Sequence, residues 1–113
     1  MRKIVLRRGP AVLFMSLTML ALSIGLRAQS EAAKVYKANC APCHGPDGSG
    51  NTPTGKALKV KDLSSDEVQK QTDAALAEVI AKGKGQMPAF QAKLSPDVIK
   101  SLVVYVRQLA KKK

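Results

Sequence analysis

The sequence Cys40-Ala41-Pro42-Cys43-His44 decides how this chain must fold. Two thiols three residues apart lie on one side of a helical turn, so each can add to one vinyl group of the same haem and form a thioether bond. The imidazole of His44 follows at once and is placed to bind the haem iron. The pentapeptide therefore predicts one covalently attached haem c (iron) per chain, held by Cys40 and Cys43 with His44 as an axial ligand.

Three other uses of this cysteine pair are alternatives to haem attachment: a zinc site, a redox-active pair and a structural disulfide. A zinc site needs about four ligands, yet the chain contains only two cysteines and one histidine, all within the pentapeptide. A thioredoxin-like redox pair belongs in a βαβ setting, which this sequence does not provide. A disulfide between Cys40 and Cys43 would close a very small loop and leave His44 without a role. The residue inventory favours haem.

The second axial ligand is predicted by elimination. After residue 28 the chain has no histidine besides His44 and one methionine, Met87. Met87 lies in a glycine-bounded loop just before Pro88, whose ring holds the preceding residue extended rather than helical. A methionine can also simply fill space in a core, and that is the alternative role. Because a His/Met pair suits an electron-transfer protein, we expect His44 and Met87 to be the axial ligands.

The first 28 residues have the layout of a secretory signal peptide. An uncharged stretch over residues 11–26 follows a basic start. The basic residues are Arg2, Lys3, Arg7 and Arg8. We expect cleavage after Ala28 and export to the bacterial periplasm or an equivalent compartment. Leu26 stands where the cleavage motif prefers alanine, so a retained N-terminal anchor is the alternative, and membrane association is expected only in that case.

Residues 29–113 form the expected folded domain of 85 residues, for which a hydrophobic core alone is barely sufficient. This part has one phenylalanine, two tyrosines and no tryptophan. Large aromatic side chains therefore cannot supplement the core, whereas a bound macrocycle could.

The charge of this domain is moderately positive. Five of the 19 basic residues precede residue 29, which leaves 14 against eight acidic residues and a net charge of +6. The lysines are scattered among acids without interleaved aromatic residues, so nucleic-acid binding is not expected. We expect a monomer that meets redox protein partners through their acidic docking patches.

Helical patterns predict an all-α fold. Ser30 is the expected N-cap of a first helix beginning at Glu31. A second helix is predicted over residues 73–82, where one face is apolar and Gly83 would end it. Its apolar residues are Leu76, Val79 and Ile80.

The last helix has the clearest signals: Ser95 as N-cap, Pro96 in the first turn and Asp97 beside the positive end of the helix dipole. Its apolar side is formed by Val98, Leu102, Tyr105, Val106 and Leu109.

Two loops and a short turn complete the predicted organisation. Residues 45–55 hold four glycines and two prolines, which predicts a long loop. Residues 83–88 form a second loop, and Ser64-Ser65-Asp66-Glu67 is typical of a helix start. Between the first loop and this helix start, three apolar residues are expected to enter the core: Leu58, Val60 and Leu63.

At these residues the chain resembles the class I cytochrome c family, especially small bacterial periplasmic members. The resemblance covers essentially all of residues 29–113, with the haem motif near the beginning and the methionine toward the end. Gly45 and the stretch Gly83–Phe90 are also similar to the family's equivalents. The resemblance implies a small fold in which the N- and C-terminal helices cross around one covalently bound haem.

The resemblance also implies supporting residues. In such proteins a small residue and an aromatic of the first helix contact an aromatic of the last, which assigns these places to Ala32, Tyr36 and Tyr105. Plain core packing of both tyrosines is compatible with that role. A proline carbonyl commonly accepts the proton of the ligand histidine's other nitrogen, and Pro53 is the candidate.

A six-coordinate iron with no ionisable pair beside it offers no general base, nucleophile or open position for substrate. We therefore expect a single-electron carrier and no enzyme. One rival is a haem enzyme or gas sensor in which Met87 is displaced from the iron. The other is an anchored electron-transfer subunit of a membrane complex, which requires that the leader is retained.

Overall fold

The computed structural model describes residues 11–112, with side chains described from residue 24 onward. Within that range the chain forms six helices, and the only extended pairing is an isolated antiparallel bridge between Lys84 and Met87. The helices are α1 (Ala11–Asn39), α2 (Ala41–His44), α3 (Pro53–Ala57), α4 (Asp66–Gln69), α5 (Asp73–Lys82) and α6 (Pro96–Lys111). The predicted all-α class is confirmed.

Helix α1 begins much earlier than the sequence pattern predicted. It runs from Ala11 through Ser30 without a break, so the expected helix start at Glu31 is wrong for the uncleaved chain. No proline interrupts residues 11–39, and the residues before Ser30 therefore continue the helix instead of ending at a cap. Among the residues described, no helix is long and apolar enough to cross a membrane. The basic residues with which the predicted signal peptide starts lie outside the described residues.

The loop predicted over residues 45–55 contains the beginning of a helix. Thr52 caps α3, because its side chain accepts a hydrogen bond from the amide of Gly55 at 2.8 Å, and Pro53 occupies the first helical turn. The prediction of an irregular loop holds only up to residue 52. Glycine content alone was misleading here, since a single capping threonine followed by proline is enough to start a short helix.

Helices α5 and α6 have the bounds and caps that the sequence indicated. Gly83 ends α5 with a φ of 74°. Ser95 caps α6 by accepting a hydrogen bond from the amide of Val98 at 3.3 Å. The short helix α4 follows Ser65, as the serine-rich start predicted. These ends are set by local backbone chemistry, which is why the sequence alone locates them.

The core forms where α1 crosses α6. Ala32 and Tyr36 of α1 pack with Leu102 and Leu109 of α6, and all four side chains are buried. A second cluster joins α6 to α4 and α5 through Val68, Leu76 and Val103. Helix α6 is therefore the central element, buried on two sides.

Of the three apolar residues expected between the loops, Leu63 packs against both clusters. Val60 is half-buried, and Leu58 remains 37% exposed, so the prediction that it enters the core is wrong.

A single arginine fixes α5 against α6. The guanidinium of Arg107 donates to the carbonyl oxygens of Gln69 and Gln71 at 2.8 and 2.6 Å. It also donates twice to the carboxylate of Asp73, at 3.1 and 2.8 Å. These charge-assisted bonds satisfy backbone oxygens at the end of α4 and in the turn that leads to α5. They thereby position the helix that leads into the loop carrying Met87.

Candidate haem site

The predicted attachment motif consists of Cys40, which follows α1, and the four residues of α2. Cys40 lies between the two helices, and its carbonyl accepts hydrogen bonds from the amides of Cys43 and His44 at 3.1 and 2.9 Å. Both cysteines are half-buried and neither forms a disulfide. The backbone thus brings two free thiols and the imidazole together within five residues, as covalent attachment to one haem requires.

The electrostatics of the thiols argue against a redox-active pair. Burial, together with the neighbouring Cys43, raises the pKa of the Cys40 thiol to about 11. Catalytic disulfide-exchange cysteines have a lowered pKa, because the thiolate is the nucleophile. A Cys40 that stays protonated at neutral pH is therefore the wrong starting point for thioredoxin-like chemistry.

The histidine has the properties of an iron ligand. His44 is half-buried, and burial lowers its pKa below the usual value, which favours the neutral imidazole that metals bind. Its Nδ1 atom is buried and has no hydrogen-bond partner among the described residues. A buried polar nitrogen without a partner is rare. Two free half-buried thiols beside this imidazole fit a covalently attached haem.

No group of three or more acidic, histidine or cysteine side chains able to hold a metal ion occurs in the described part of the chain. A haem needs fewer ligands from the protein, because the macrocycle itself supplies four nitrogens to the iron.

Pro53 lies close in the fold to the motif but does not make the predicted contact. The Nδ1 atom of His44 is unpartnered, so a hydrogen bond to the Pro53 carbonyl is not formed in this structure. Instead, the hydroxyl of the preceding residue, Thr52, donates to the carbonyl of Cys43 at 2.9 Å. Thr52 was missed at the sequence level, although a threonine followed by proline is a recognisable helix start.

Gly55 supports the motif from the same side. A β-carbon at this position would lie 2.3 Å from the carbonyl oxygens of both Cys43 and Gly50, far inside contact distance. Only glycine allows α3 to approach the motif so closely. The sequence shows the glycine but gives no sign of the approach.

The predicted tyrosines do meet at the helix crossing. The ring centroids of Tyr36 and Tyr105 lie 5.0 Å apart at an angle of 46°, a favourable tilted arrangement. The hydroxyl of Tyr36 donates to the carbonyl of Gly45 at 2.8 Å. Burial, helped by the nearby Cys40, raises the pKa of this phenol well above its usual range, so it remains a donor. Tyr36 thus ties α1 to the residue that follows His44.

Met87 is held on a separate segment after α5. It is half-buried and closes a tight turn with Lys84, in which each residue's amide donates to the other's carbonyl, at 3.0 and 3.2 Å. The turn therefore fixes the main chain of Met87, as a ligand loop requires.

Comparisons with known proteins agree with the predicted haem cofactor. The family model described as cytochrome c oxidase, cbb3-type, subunit III matches residues 27–106. Cytochrome c6 of Leptolyngbya boryana is 42% identical over 79 residues, which cover 70% of this chain and 89% of that protein. The cbb3-type cytochrome c oxidase subunit FixP of Bradyrhizobium diazoefficiens is 38% identical over 84 residues. That match covers 71% of this chain but only 27% of FixP.

The fold is similar to a solved structure. The KustC0563 c-type cytochrome superposes with a TM-score of 0.64 at 35% identity, covering 69% of this chain and 95% of that one. The segment that the family model matches, residues 27–106, contains the pentapeptide at residues 40–44. Sequence and fold therefore point to one kind of protein.

Proposed function

This chain belongs to the cytochrome c family and is a haem c electron carrier, and from that premise we propose the residues and compartment through which it works. Its haem is attached through Cys40 and Cys43 and has His44 and Met87 as axial ligands. The observation that carries this assignment is the half-buried imidazole of His44, with its lowered pKa, beside two free, half-buried thiols.

The bound haem supplies reversible one-electron chemistry at iron. The chain's own residues do the rest. His44 offers a neutral imidazole because burial disfavours its charged form. Tyr36 and Thr52 hold the backbone on either side of it through the carbonyls of Gly45 and Cys43. Met87 supplies a thioether, a ligand that raises the potential of haem iron.

The comparisons favour electron transfer over an enzymatic role. The relatives that this chain spans almost completely include cytochromes c6.

We further propose that residues 1–28 are a signal peptide and that residues 29–113 are the exported, monomeric domain. Among the side chains that the structure describes, those from residue 24 onward, the first buried one of α1 is Ala32, after the proposed cleavage point. Ile24 and Leu26, before it, are 64% and 68% exposed. The described residues on the N-terminal side of the proposed cleavage point therefore contribute no buried side chain to the core.

The mass of the exported protein tests this division. We expect a chain beginning at Gln29 that carries one haem, recovered from the soluble periplasmic fraction. Intact mass spectrometry of the purified holoprotein measures both quantities at once. A mass that includes residues 1–28, with the protein in the membrane fraction, would show instead that the leader is retained as an anchor.

The family works with redox partners, and we propose that a positive surface steers them. With a net charge of +6 on residues 29–113, anionic partners should be attracted over a distance set by the Debye length. That length falls from about 30 Å at about 0.01 M salt to about 8 Å at about 0.15 M. The alternative is that the lysines only keep the protein soluble.

Stopped-flow oxidation of the reduced protein distinguishes electrostatic steering from a role of the lysines in solubility alone. The rate with ferricyanide, an anion, is expected to fall several-fold across this salt range. A cationic cobalt phenanthroline oxidant is the matched control, and its rate should rise instead. A ferricyanide rate that is flat or increases with salt would contradict steering.

A further inference from the structure

Hydrogen bonds hold the main chain on both sides of Met87, and those after it join the segment to the end of α5. Before it, the two hydrogen bonds between Lys84 and Met87 close a turn. After it, the amide of Phe90 donates to the carbonyls of Ile80 and Ala81, both at 3.1 Å. The segment therefore folds back across the last turn of α5, where Gly83 ends the helix.

The backbone of residues 87–89 passes close to the α-carbon of Gly83. A β-carbon there would be 2.4 Å from the carbonyl oxygen of Met87, 2.9 Å from the carbonyl carbon of Pro88 and 3.0 Å from the amide nitrogen of Ala89. All three are backbone atoms, so no side chain can rotate away to make room. The segment can occupy its place only because residue 83 has no side chain.

The backbone conformation of Gly83 adds a second restriction. Its φ of 74° and ψ of 171° fall in a region that is essentially reserved for glycine. Any other residue would have to leave this conformation, and the chain would then leave α5 in a different direction. Both the contact and the dihedral angles therefore tie the position of Met87 to residue 83.

We propose that Gly83 is a positioning residue for the Met87 thioether: its bare α-carbon fixes the Met87–Ala89 backbone against α5 and so sets where the sulfur lies. This inference rests on the proposed function, in which Met87 binds the haem iron. Gly83 itself touches neither haem nor sulfur in this role. It acts through the backbone of the residue that does.

Gly85, two residues on, provides a matched control. It also has a positive φ, 59°, but a β-carbon there would meet nothing within 4 Å. Substitution at Gly85 thus introduces backbone strain in the same turn without the collision. A comparison of the two alanine variants separates the effects specific to residue 83, its close contact and its dihedral angles, from strain of the loop in general.

The test uses four holoproteins: wild type, Gly83→Ala, Gly85→Ala and Met87→Ala. The readouts are the ferric long-wavelength sulfur-to-iron band, carbon monoxide binding to the reduced protein, and the far-ultraviolet circular dichroism. In Gly83→Ala we expect the band to fall below half of its wild-type intensity and carbon monoxide to bind, with helix content unchanged. Gly85→Ala should keep most of the band and exclude carbon monoxide.

Two results would overturn the proposal while leaving the ligand assignment intact. In one, Met87→Ala removes the band but Gly83→Ala keeps it at full strength. In the other, Gly85→Ala loses as much of the band as Gly83→Ala. If the wild type has no band that Met87→Ala removes, the ligand assignment has failed and the proposal fails with it.

Gly83→Ala could also fail to accumulate as folded protein. The double variant Gly83→Ala with Ala89→Gly then replaces it, because a glycine at the exposed residue 89 gives the backbone more freedom to shift while Pro88 still holds Met87 extended. Ala89→Gly alone is its control. The double variant should lack the sulfur band that Ala89→Gly retains, and equal bands in the two would refute the role of Gly83.

Discussion

Replacing Met87 with alanine is expected to leave the haem attached but to remove its sixth ligand. Met87 is the one thioether after residue 28, and the one histidine of the chain lies in the attachment motif. The turn that carries Met87 is fixed by its two hydrogen bonds to Lys84. Loss of the sulfur should abolish the long-wavelength band of the ferric protein, lower the potential, and let the reduced protein bind carbon monoxide.

Gln86→Ala is the matched control for Met87→Ala, since Gln86 is exposed in the same turn. It should change none of the three properties. Resistance of the haem to acid-acetone extraction should survive in both variants, which separates a lost ligand from a lost cofactor. If Met87→Ala retains the sulfur band, the wild-type potential and the exclusion of carbon monoxide, Met87 is a packing residue and another group binds the iron.

Replacing both Cys40 and Cys43 with alanine is expected to leave a largely unfolded chain. The domain has about the size at which a hydrophobic core alone is marginal. Its described core has few large side chains, and the fully buried ones are Tyr36 and Leu102. Without thioether bonds the haem would be lost, and with it the central packing partner. Accumulation of the exported protein, measured by immunoblot, should be abolished.

Pro42→Ala serves as the control for the cysteine variant. Pro42 is exposed within the motif, and its replacement keeps both thiols and His44. That protein should accumulate with haem attached. A haem-free double variant that shows helical circular dichroism and a cooperative thermal transition would prove that the polypeptide folds without its cofactor.

The fold was predictable where local chemistry sets it. Gly83 predicted where α5 ends, and Ser95 with Pro96 predicted where α6 begins. In the structure α5 ends and α6 begins at these residues. The start of α1 was not predictable in the same way. A serine in a helical stretch is a cap only if the helix stops there, and in the uncleaved chain the residues before Ser30 are helical too.

The candidate site likewise has a part that the sequence predicts and a part that only the structure shows. Spacing within five residues indicated the attachment cysteines and His44, and the structure brings them into one turn. The contacts that hold this turn cross between distant parts of the chain, as when the Tyr36 hydroxyl bonds to Gly45. Gly55 and Gly83 matter because another backbone passes over them. Such approaches depend on tertiary structure, so no sequence pattern shows them.

The absorption spectrum of the purified protein, recorded oxidised and reduced, tests most directly that this chain carries electrons on one covalently bound, six-coordinate haem. The expected result is a c-type spectrum that resists acid-acetone extraction, switches reversibly between the two states, includes the ferric sulfur band, and is unchanged when carbon monoxide is added to the reduced protein. Haem that extracts into acid-acetone, or a reduced spectrum that shifts with carbon monoxide, would contradict it.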